Sequence, residues 1–299
     1  MNIKHVGEGK VILIAGGGKT YIDKAVKFCR SSKSVEEIIG SPEDIALLDT
    51  IVHSPHKAAL EFDDYIFGVE GYSRVTELQL VRKRHASYMI SSGRPEKKGK
   101  RTFDVVLPES LKNNDTTTRI EINPELINLN IHWKNYLTRE YKNMEVSLSE
   151  LLRNYLNDEF YTLEEEPIIF KITPEFLLHA TESWYNNGVG HGIPEEDLRY
   201  LKPQATEFKV CIKMNVAALK DWFAIRMCNR AQTEIRDLAN KMYQLCLDAQ
   251  PTIFKDMGPN CKVLGYCPEN KGQCIACKGK IPTQEEAIKF LKENWKSEN

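Results

Sequence analysis

The spacing of apolar and polar residues predicts several short strands separated by helices. Residues 11–15 form an unbroken apolar run that predicts a buried strand, and three glycines follow it. Residues 65–70 have the composition of another strand, which Gly71 is expected to end. Residues 167–172 are apolar and residues 208–214 alternate between apolar and polar, so each predicts a further strand.

Helical spacing of apolar residues occurs between these strands. In residues 21–29, Ile22, Ala25, Val26 and Cys29 lie three or four positions apart. The same spacing predicts helices at residues 41–53, 56–62, 72–84, 125–165, 176–185 and 193–201. The glycines at positions 188 and 190 are expected to break the chain after the helix that begins at residue 176.

The longest periodic segment, residues 215–250, predicts one long helix in the C-terminal half of the chain. Asn215 is a suitable N-cap, and Pro251 ends the segment. Its apolar stripe consists of Leu219, Trp222, Phe223, Met227, Ile235, Leu238, Met242 and Leu245. Arg226 and Arg230 are one turn apart, so they are predicted to share a helix face. The pattern predicts an α+β fold, a mixed sheet packed by helices, in a single domain spanning residues 1–299.

Composition narrows the possible partners. Of the 299 residues, 41% are hydrophobic, which is enough for one large core or for two modest ones. The formal net charge is -1, so bulk charge does not indicate a nucleic-acid or membrane partner, and local clusters would have to bind any anion. The apolar run at residues 11–15 is too short to span a bilayer, and the chain shows no signal-peptide pattern. A cytoplasmic location without membrane association is therefore expected.

One basic run has the residue types of an anion site. Residues 79–94 contain three arginines, a lysine and a histidine beside a Ser-Ser-Gly turn. An arginine fork holds phosphate at two points, and a Ser/Gly turn offers hydroxyl and backbone N–H donors. A generic solvated basic patch is the competing interpretation.

The eight cysteines fall into two groups. The first group is scattered through periodic segments and is interpreted as ordinary buried thiols: Cys29, Cys211, Cys228 and Cys246. The second group lies near the C-terminus: Cys261, Cys267, Cys274 and Cys277. Four thiolates can close a tetrahedral zinc site, but only the last pair has the strongest spacing for one. A tail of reduced surface cysteines without metal is the alternative.

Three ordered blocks of residues resemble the flavin-dependent thymidylate synthases. The first contains the family's Arg-His-Arg motif in the form Arg82-Lys83-Arg84, followed after seven residues by Ser92. The second joins Gly192-Ile193-Pro194 to Arg199, and the third is Asn215 to Arg226 followed by Ala231-Gln232. The likeness covers most of the chain except about residues 95–187, and a Cys-rich tail occupies about residues 255–299.

The resemblance implies a specific reaction. Members of this family methylate dUMP to dTMP, with methylenetetrahydrofolate as carbon donor and FAD, reduced by NADPH, as hydride source. They are homotetramers whose active sites are shared between subunits, and they use no cysteine nucleophile. None of the eight cysteines is therefore expected to be catalytic.

The resemblance also implies roles for individual residues. The nucleotide contacts would be Gln79, Arg82, Ser91, Ser92, Gly93, Arg94, Arg199 and Arg226. Of these, Ser91 to Arg94 would come from a neighbouring chain, and Arg226 would act on the uracil ring by favouring loss of the N3 proton. The FAD contacts would be Ala58, Arg82, Lys83, Arg84, Asn215 and Asp221.

Several positions depart from the family pattern around the expected flavin and nucleotide. Lys83 replaces a histidine, Ile90 a Glu or Gln, Ala217 an arginine, Asp221 an Asn or His, and Pro95 a tyrosine. These departures leave two alternatives open. One is a related methyl or hydroxymethyl transfer to another uracil nucleotide such as UMP. The other is a non-catalytic nucleotide- or RNA-binding relative, which the lack of aromatics among the basic residues disfavours.

Overall fold

Helices and strands are mixed along the part of the chain that the structure describes, which confirms the predicted α+β class. The computed structural model describes residues 1–55, 57–91, 103–112, 118–122, 128–134, 141–147, 161–162, 168–269 and 272–294. The described strands are β1 (Asn2–His5), β2 (Lys10–Ala15), β3 (Asp64–Ser73), β4 (Ala86–Ile90), β5 (Asp104–Leu107), β6 (Thr118–Ile122), β7 (Asn128–Lys134), β8 (Tyr141–Ser147), β9 (Tyr161–Thr162), β10 (Ile168–Ile172) and β11 (Glu207–Asn215).

The described α-helices are α1 (Ile22–Arg30), α2 (Val35–Gly40), α3 (Ile45–His53), α4 (Arg74–Leu80), α5 (Glu109–Lys112), α6 (Pro174–Gly190), α7 (Glu195–Leu198), α8 (Val216–Arg226), α9 (Thr233–Ala249), α10 (Pro251–Phe254), α11 (Asn260–Leu264) and α12 (Gln284–Asn294). Short 3-10 helices occupy Ala58–Phe62 and Arg199–Leu201. Among the residues that the structure describes, no helix combines the length and apolar character needed to cross a membrane.

The described structure divides into two compact units, each with its own internal contacts. The smaller unit contains Met1–His5 and Ser91–Phe208, and the larger contains Val6–Ile90 and Lys209–Asn299. The organisation as a single domain over residues 1–299 stays a prediction.

The larger unit is built on a four-stranded sheet with the order β2-β3-β11-β4. Alternate residues of β11 are buried, including Val210, Ile212 and Met214, as the predicted strand pattern requires. Helices α8 and α9 complete this core, with Trp222 and Phe223 fully buried. The ring of Phe223 packs edge-on against the ring of Tyr243 at a centroid distance of 5.4 Å.

Strand β3 continues beyond the point where the sequence predicted its end. Gly71 adopts φ +79° inside the strand, and a Cβ at this position would lie 2.9 Å from the Cα of Gly9. Glycine therefore permits a close backbone approach instead of ending the strand, so the prediction at Gly71 is wrong. Ser73 becomes the last residue of β3 and the N-cap of α4.

A buried carboxylate fixes this strand-to-helix junction. The Glu234 side chain is 3% exposed, and it accepts hydrogen bonds from the Ser73 backbone N–H at 2.6 Å and the Ser73 hydroxyl at 2.5 Å. Glu234 lies in the first turn of α9, so its negative charge is close to the N-terminal ends of both α4 and α9. This single side chain ties two helices together.

Two predictions of burial are wrong. Strand β2 was expected to be buried, but Ile12 and Ile14 are 50% and 60% exposed, because their side chains lie on the outer face of the sheet. The Cys29 and Cys211 side chains are also exposed, whereas Cys246 is buried as predicted. Apolar composition alone did not distinguish the covered face of the sheet from the uncovered face.

The predicted long helix of residues 215–250 is divided into two helices. Helix α8 ends at Arg226, and α9 begins at Thr233, where the Gln232 side chain accepts a hydrogen bond from the Ile235 N–H at 3.1 Å. The Asn215 cap is confirmed, because its side chain accepts from the Ala218 N–H at 2.8 Å. Arg226 and Arg230 therefore do not share a helix face, since Arg230 lies in the connection.

In the smaller unit, β1 and β5 pair in parallel, with Asn2 opposite Asp104 and His5 opposite Leu107. The apolar core around these strands contains Phe103, Val105, Leu107, Leu178, Tyr185 and Leu198. A second sheet has the order β6-β10-β9, and β7 and β8 form an antiparallel pair.

Two helix predictions in this unit are wrong. The segment 125–165 was predicted to be helical, but its described residues form strands β7, β8 and β9. In β7 the apolar residues Leu129, Ile131 and Trp133 alternate with polar ones, and a period of two is typical of strands. Gly188 was expected to follow a helix end but lies inside α6. A Cβ at this position would lie 2.5 Å from the Leu198 side chain, so glycine allows the close packing of Leu198 against the helix.

A half-buried carboxyl in the larger unit gives a testable pH dependence. Burial raises the pKa of Asp63 to about 6, although a hydrogen bond with Thr20 partly opposes this rise. The folded state therefore keeps a proton on Asp63 between about pH 4 and 6, where the unfolded chain has lost it. This contribution to stability is present at low pH and is lost as the pH rises through 6.

We therefore expect Asp63→Asn to raise the melting temperature at pH 7 relative to the wild type and to weaken the decline between pH 4 and 7. Thermal unfolding at both pH values measures this effect. The control is Asp248→Asn, which removes an exposed carboxylate of α9 that accepts a hydrogen bond from Gln244 at 2.7 Å. An equal shift of the Asp63 variant at pH 4 and pH 7 would contradict the assignment.

Candidate active site

The basic run predicted to bind anions begins where α4 ends. The Lys83 N–H donates to the Leu80 carbonyl at 3.1 Å, which closes a turn after the helix. The Tyr88 hydroxyl lies 2.9 Å from the Leu80 carbonyl and 3.1 Å from the Lys83 carbonyl, so β4 holds this turn. Burial raises the pKa of Tyr88 to about 12, and the hydroxyl remains a donor at neutral pH.

His85 has an unusual backbone conformation that redirects the chain into β4. Its φ is 58°, and no other non-glycine residue in the described part of the chain has a positive φ. Arg82 and Arg84, which precede it, are both exposed. The basic run is therefore a turn held in place by Tyr88, with the exposed guanidinium groups of Arg82 and Arg84 at the surface of the larger unit.

Arg226 lies next to this turn at the last position of α8. Its Nη1 donates to Gln79 Oε1 at 3.3 Å, and its guanidinium is 5.6 Å from the centre of the Trp222 ring. Burial, followed by the charge of Arg82, lowers the pKa of Arg226. The structure thus brings together Gln79, Arg82 and Arg226, which the resemblance assigns to one nucleotide.

A second cluster surrounds Asp221 on the same helix. The Asp221 carboxylate pairs with the Lys57 Nζ at 3.2 Å and with the Lys83 Nζ at 3.4 Å. Lys220 lies beside it, and its Nζ donates to the Val52 carbonyl at 2.8 Å. Burial and the charge of Lys57 lower the pKa of Lys220, while Asp221 partly opposes this. Three lysines thus surround one carboxylate, and the cluster carries excess positive charge.

Two positions that depart from the family pattern are therefore physically linked. Lys83 stands where the family has histidine and Asp221 where Asn or His is common, and here the two form an ion pair. The Lys83 side chain is 19% exposed, whereas Asp221 is 48% exposed, so the pair lies at the rim of the site. The charge of Lys83 is therefore paired with the carboxylate of Asp221.

The other predicted flavin contacts lie nearby on α8 and the adjoining 3-10 helix. Asn215 caps α8 through its side-chain oxygen. Ala58 begins the 3-10 helix that packs against α8, and it lines an apolar cavity of about 310 Å³ between this helix, α1 and α3. Ala58, Lys83, Asn215 and Asp221 therefore belong to the same unit as the nucleotide candidates Gln79, Arg82 and Arg226.

Two of the remaining predicted residues that the structure describes are Ser91 and Arg199. Ser91 follows β4 and is exposed, and Arg199 is the exposed first residue of the Arg199–Leu201 helix. Both belong to the smaller unit. Ser92, Gly93 and Arg94 lie outside the described residues, so their roles stay predictions. Within the part of the chain that is described, no group of three or more His, Cys, Asp or Glu side chains could hold a metal ion.

Sequence reasoning missed Lys57, Tyr88 and Lys220. Nothing in the sequence indicates that Lys57 reaches Asp221, which lies 164 positions away. Tyr88 stands in the alternating strand after the basic run, where an aromatic residue is expected for packing alone. Lys220 precedes Asp221, but its contact with the Val52 carbonyl in α3 has no signal in the sequence.

A cationic surface beside a partly buried arginine and glutamine, on an α+β scaffold, has the chemistry to bind an anionic ligand. Residues 11–252 match the family model described as Thy1, thymidylate synthase complementing protein. The chain is 30% identical over 253 residues to a flavin-dependent thymidylate synthase of Geobacter sulfurreducens, covering 84% of this chain and 86% of the relative. It is 31% identical over 248 residues to a flavin-dependent thymidylate synthase of Pyrococcus furiosus, covering 80% and 78%.

A solved structure shows the same fold. The UMP/dUMP methylase PolB from Streptomyces cacaoi superposes with a TM-score of 0.54 over 85% of this chain and 96% of that chain, at 17% identity. The chain belongs to the thymidylate synthase complementing protein family, the family of the flavin-dependent thymidylate synthases. This membership confirms the resemblance found in the sequence and identifies the chain as an enzyme.

Proposed function

We propose that this enzyme methylates dUMP to dTMP, with methylenetetrahydrofolate as carbon donor and FAD, reduced by NADPH, as hydride source. The observation that carries the proposal is the contact between Gln79 and Arg226, with Arg82 beside them, at three positions where the family motifs place nucleotide contacts. The relatives from Geobacter sulfurreducens and Pyrococcus furiosus bear the name of this activity.

Arg226 would stabilise the negative charge that develops on the uracil ring when its N3 proton is lost. A guanidinium that is partly withdrawn from water acts more strongly on a nearby charge than a solvated one. The contact with Gln79 fixes one side of the fork, and the Trp222 ring supports its face. The arginine is therefore oriented before the nucleotide binds, and ring C5 would become more nucleophilic.

Arg82 would bind the anionic end of the nucleotide or the flavin. It is exposed, and its charge already acts on Arg226, so two guanidinium groups repel each other in the free protein. An anion between them would relieve this repulsion. Binding of the nucleotide phosphate is thus favoured by the charge arrangement of the free site.

The residues present fit a dinucleotide flavin. Lys57, Lys83 and Arg84 provide cationic groups for a pyrophosphate, and Asn215 provides an amide at the N-terminus of α8. When bound, the flavin supplies the reducing equivalents for the methyl group. The role of this chain is to hold the cofactor and to orient the uracil ring against it.

The proposal includes an assembly. Ser91, Ser92, Gly93 and Arg94 would reach the nucleotide of a neighbouring subunit, as the family pattern implies, in a cytoplasmic homotetramer. Size-exclusion chromatography with light scattering tests the assembly, and a monomer with full activity would contradict it.

Product analysis tests the reaction. The purified enzyme is incubated with FAD, NADPH and methylenetetrahydrofolate, with dUMP and UMP in separate samples, and the nucleotides are analysed by mass spectrometry. We expect dTMP from dUMP. Product from UMP alone, or a hydroxymethylated product, would replace the proposal with a variant reaction, and absence of any product with bound flavin would contradict it.

The ion pair between Lys83 and Asp221 gives a prediction about flavin affinity. Asp221→Asn removes a charge that neutralises Lys57 and Lys83, so we expect FAD to bind severalfold more tightly at low salt. The gain should shrink as ionic strength rises. Fluorescence titration of FAD at two salt concentrations measures the change.

Asp248→Asn is the matched control, because it removes an exposed carboxylate of α9 and changes net charge equally. Unchanged FAD binding in the Asp221 variant would show that its charge does not oppose the cofactor, and weaker binding in this variant alone would show that Asp221 itself holds the cofactor.

A further inference from the structure

A small cavity in the larger unit collects most of the cysteines of the chain. It has a volume of about 90 Å³, and five of its lining residues are cysteines: Cys228, Cys261, Cys267, Cys274 and Cys277. Part of its wall is formed by Ala224 and Ile225, which precede Arg226 on α8. None of these thiols takes part in the proposed reaction, so their clustering requires a separate explanation.

Two of the thiols are close enough for covalent chemistry. The Cys274 and Cys277 sulfur atoms are 3.5 Å apart, and the Cys277 N–H donates to the Cys274 carbonyl at 3.0 Å. The turn between them therefore holds both side chains on the same side of the backbone. A disulfide requires a sulfur separation of about 2 Å, so the pair must close by only about 1.5 Å.

The two thiols differ in the way that an exchange reaction requires. The Cys274 thiol is the more accessible of the two, so an incoming disulfide reaches it first. The Cys277 thiol lies behind it and is only 5% exposed. Cys274 is thus the attacking thiol and Cys277 the resolving thiol.

We propose that Cys274 and Cys277 form a thiol–disulfide exchange site for low-molecular-weight disulfides such as oxidised glutathione. The Cys274 thiolate attacks one sulfur of the disulfide, the sulfur–sulfur bond breaks, and one glutathione thiolate leaves. Cys277 then gives its proton to the departing second glutathione and attacks the Cys274 sulfur. Two protein thiols are oxidised to one disulfide, and one oxidised glutathione is reduced to two thiols.

The experiment uses the whole chain in buffers of defined reduced-to-oxidised glutathione ratio. Free thiols are blocked with a mass-tagged alkylating reagent, and peptides are analysed by mass spectrometry. We expect a disulfide between Cys274 and Cys277 that forms and disappears in one reversible two-electron step. The exposed single thiol Cys211 serves as an internal control and should remain alkylated throughout.

Two variants separate the roles of the thiols. Cys277→Ser should trap glutathione on Cys274, because no resolving thiol remains. Cys274→Ser should carry much less glutathione than Cys277→Ser, because the remaining Cys277 thiol is buried. Circular dichroism and thermal unfolding confirm that both variants fold, and Cys211→Ser should leave the transition unchanged.

Other outcomes overturn the proposal. Glutathione on Cys211 with the pair unmodified would show that exposure alone determines reactivity. Elemental analysis showing one zinc per chain, with the tail thiols protected from alkylation, would show that the cluster is a metal site. The readout needs neither dUMP nor flavin, so its failure leaves the proposed methylation untouched.

Discussion

Arg226→Ala is expected to lower the turnover of dUMP by about 100-fold or more, the typical cost of removing one preorganised group that stabilises charge in a reaction. The physical reason is the position of the guanidinium, fixed between Gln79 and the Trp222 ring and partly withdrawn from water. Folding and flavin binding should persist, because Arg226 makes one hydrogen bond at a helix end, worth about 1 kcal/mol. Steady-state kinetics, flavin absorbance and thermal unfolding measure the three properties separately.

Two further variants sharpen this test. Arg226→Lys keeps the charge but loses the planar fork, so it should remain much less active than the wild type if geometry matters. Arg236→Ala removes another arginine of the same region, which donates to the Asn229 and Ala231 carbonyls, and should leave turnover nearly unchanged. Wild-type turnover of the Arg226→Ala variant would remove this residue from the reaction.

Glu234→Ala is expected to destabilise the fold by about 3 kcal/mol, because it leaves the buried Ser73 N–H and hydroxyl without their acceptor. Each hydrogen bond to a charged group contributes about 1.5–3 kcal/mol, and an unsatisfied buried donor adds a penalty. The truncation also leaves a cavity at the junction of α4 and α9. Urea denaturation monitored by circular dichroism measures the loss.

Matched variants separate the causes of this loss. Glu285→Ala removes an exposed glutamate from the first turn of α12 and should cost less than about 1 kcal/mol. Ser73→Ala removes only the hydroxyl bond, so an intermediate loss is expected. If Glu234→Ala were as stable as the Glu285 variant, the buried carboxylate would not hold the junction.

Local patterns predicted the elements whose periodicity is unambiguous. The alternation of β11 and the cap at Asn215 were both visible in the sequence and are both observed. The break between α8 and α9 was not, because apolar residues recur three or four positions apart on both sides of it. Gln232, which caps α9, was the available signal. The strands of residues 125–165 were missed because abundant charges hid a period of two.

The site was predictable to the extent that it depends on family motifs. Gln79, Arg82 and Arg226 were assigned by resemblance, and the structure places them together. The pairing of Lys57 and Lys83 with Asp221 could not be predicted, because it follows from the packing of the 3-10 helix and the basic turn against α8. Two apparent departures, considered separately in the sequence, form one interaction in space.

In the cap of α8, the oxygen and the NH₂ group of the Asn215 side chain have different roles. The oxygen accepts a hydrogen bond from the Ala218 N–H, and the NH₂ group takes no part in the cap. A carboxylate here would still begin the helix but would add no donor, whereas the amide offers two N–H donors at the same place. Selection for folding alone would therefore tolerate aspartate at this position, whereas selection for a ligand that needs a donor would exclude it.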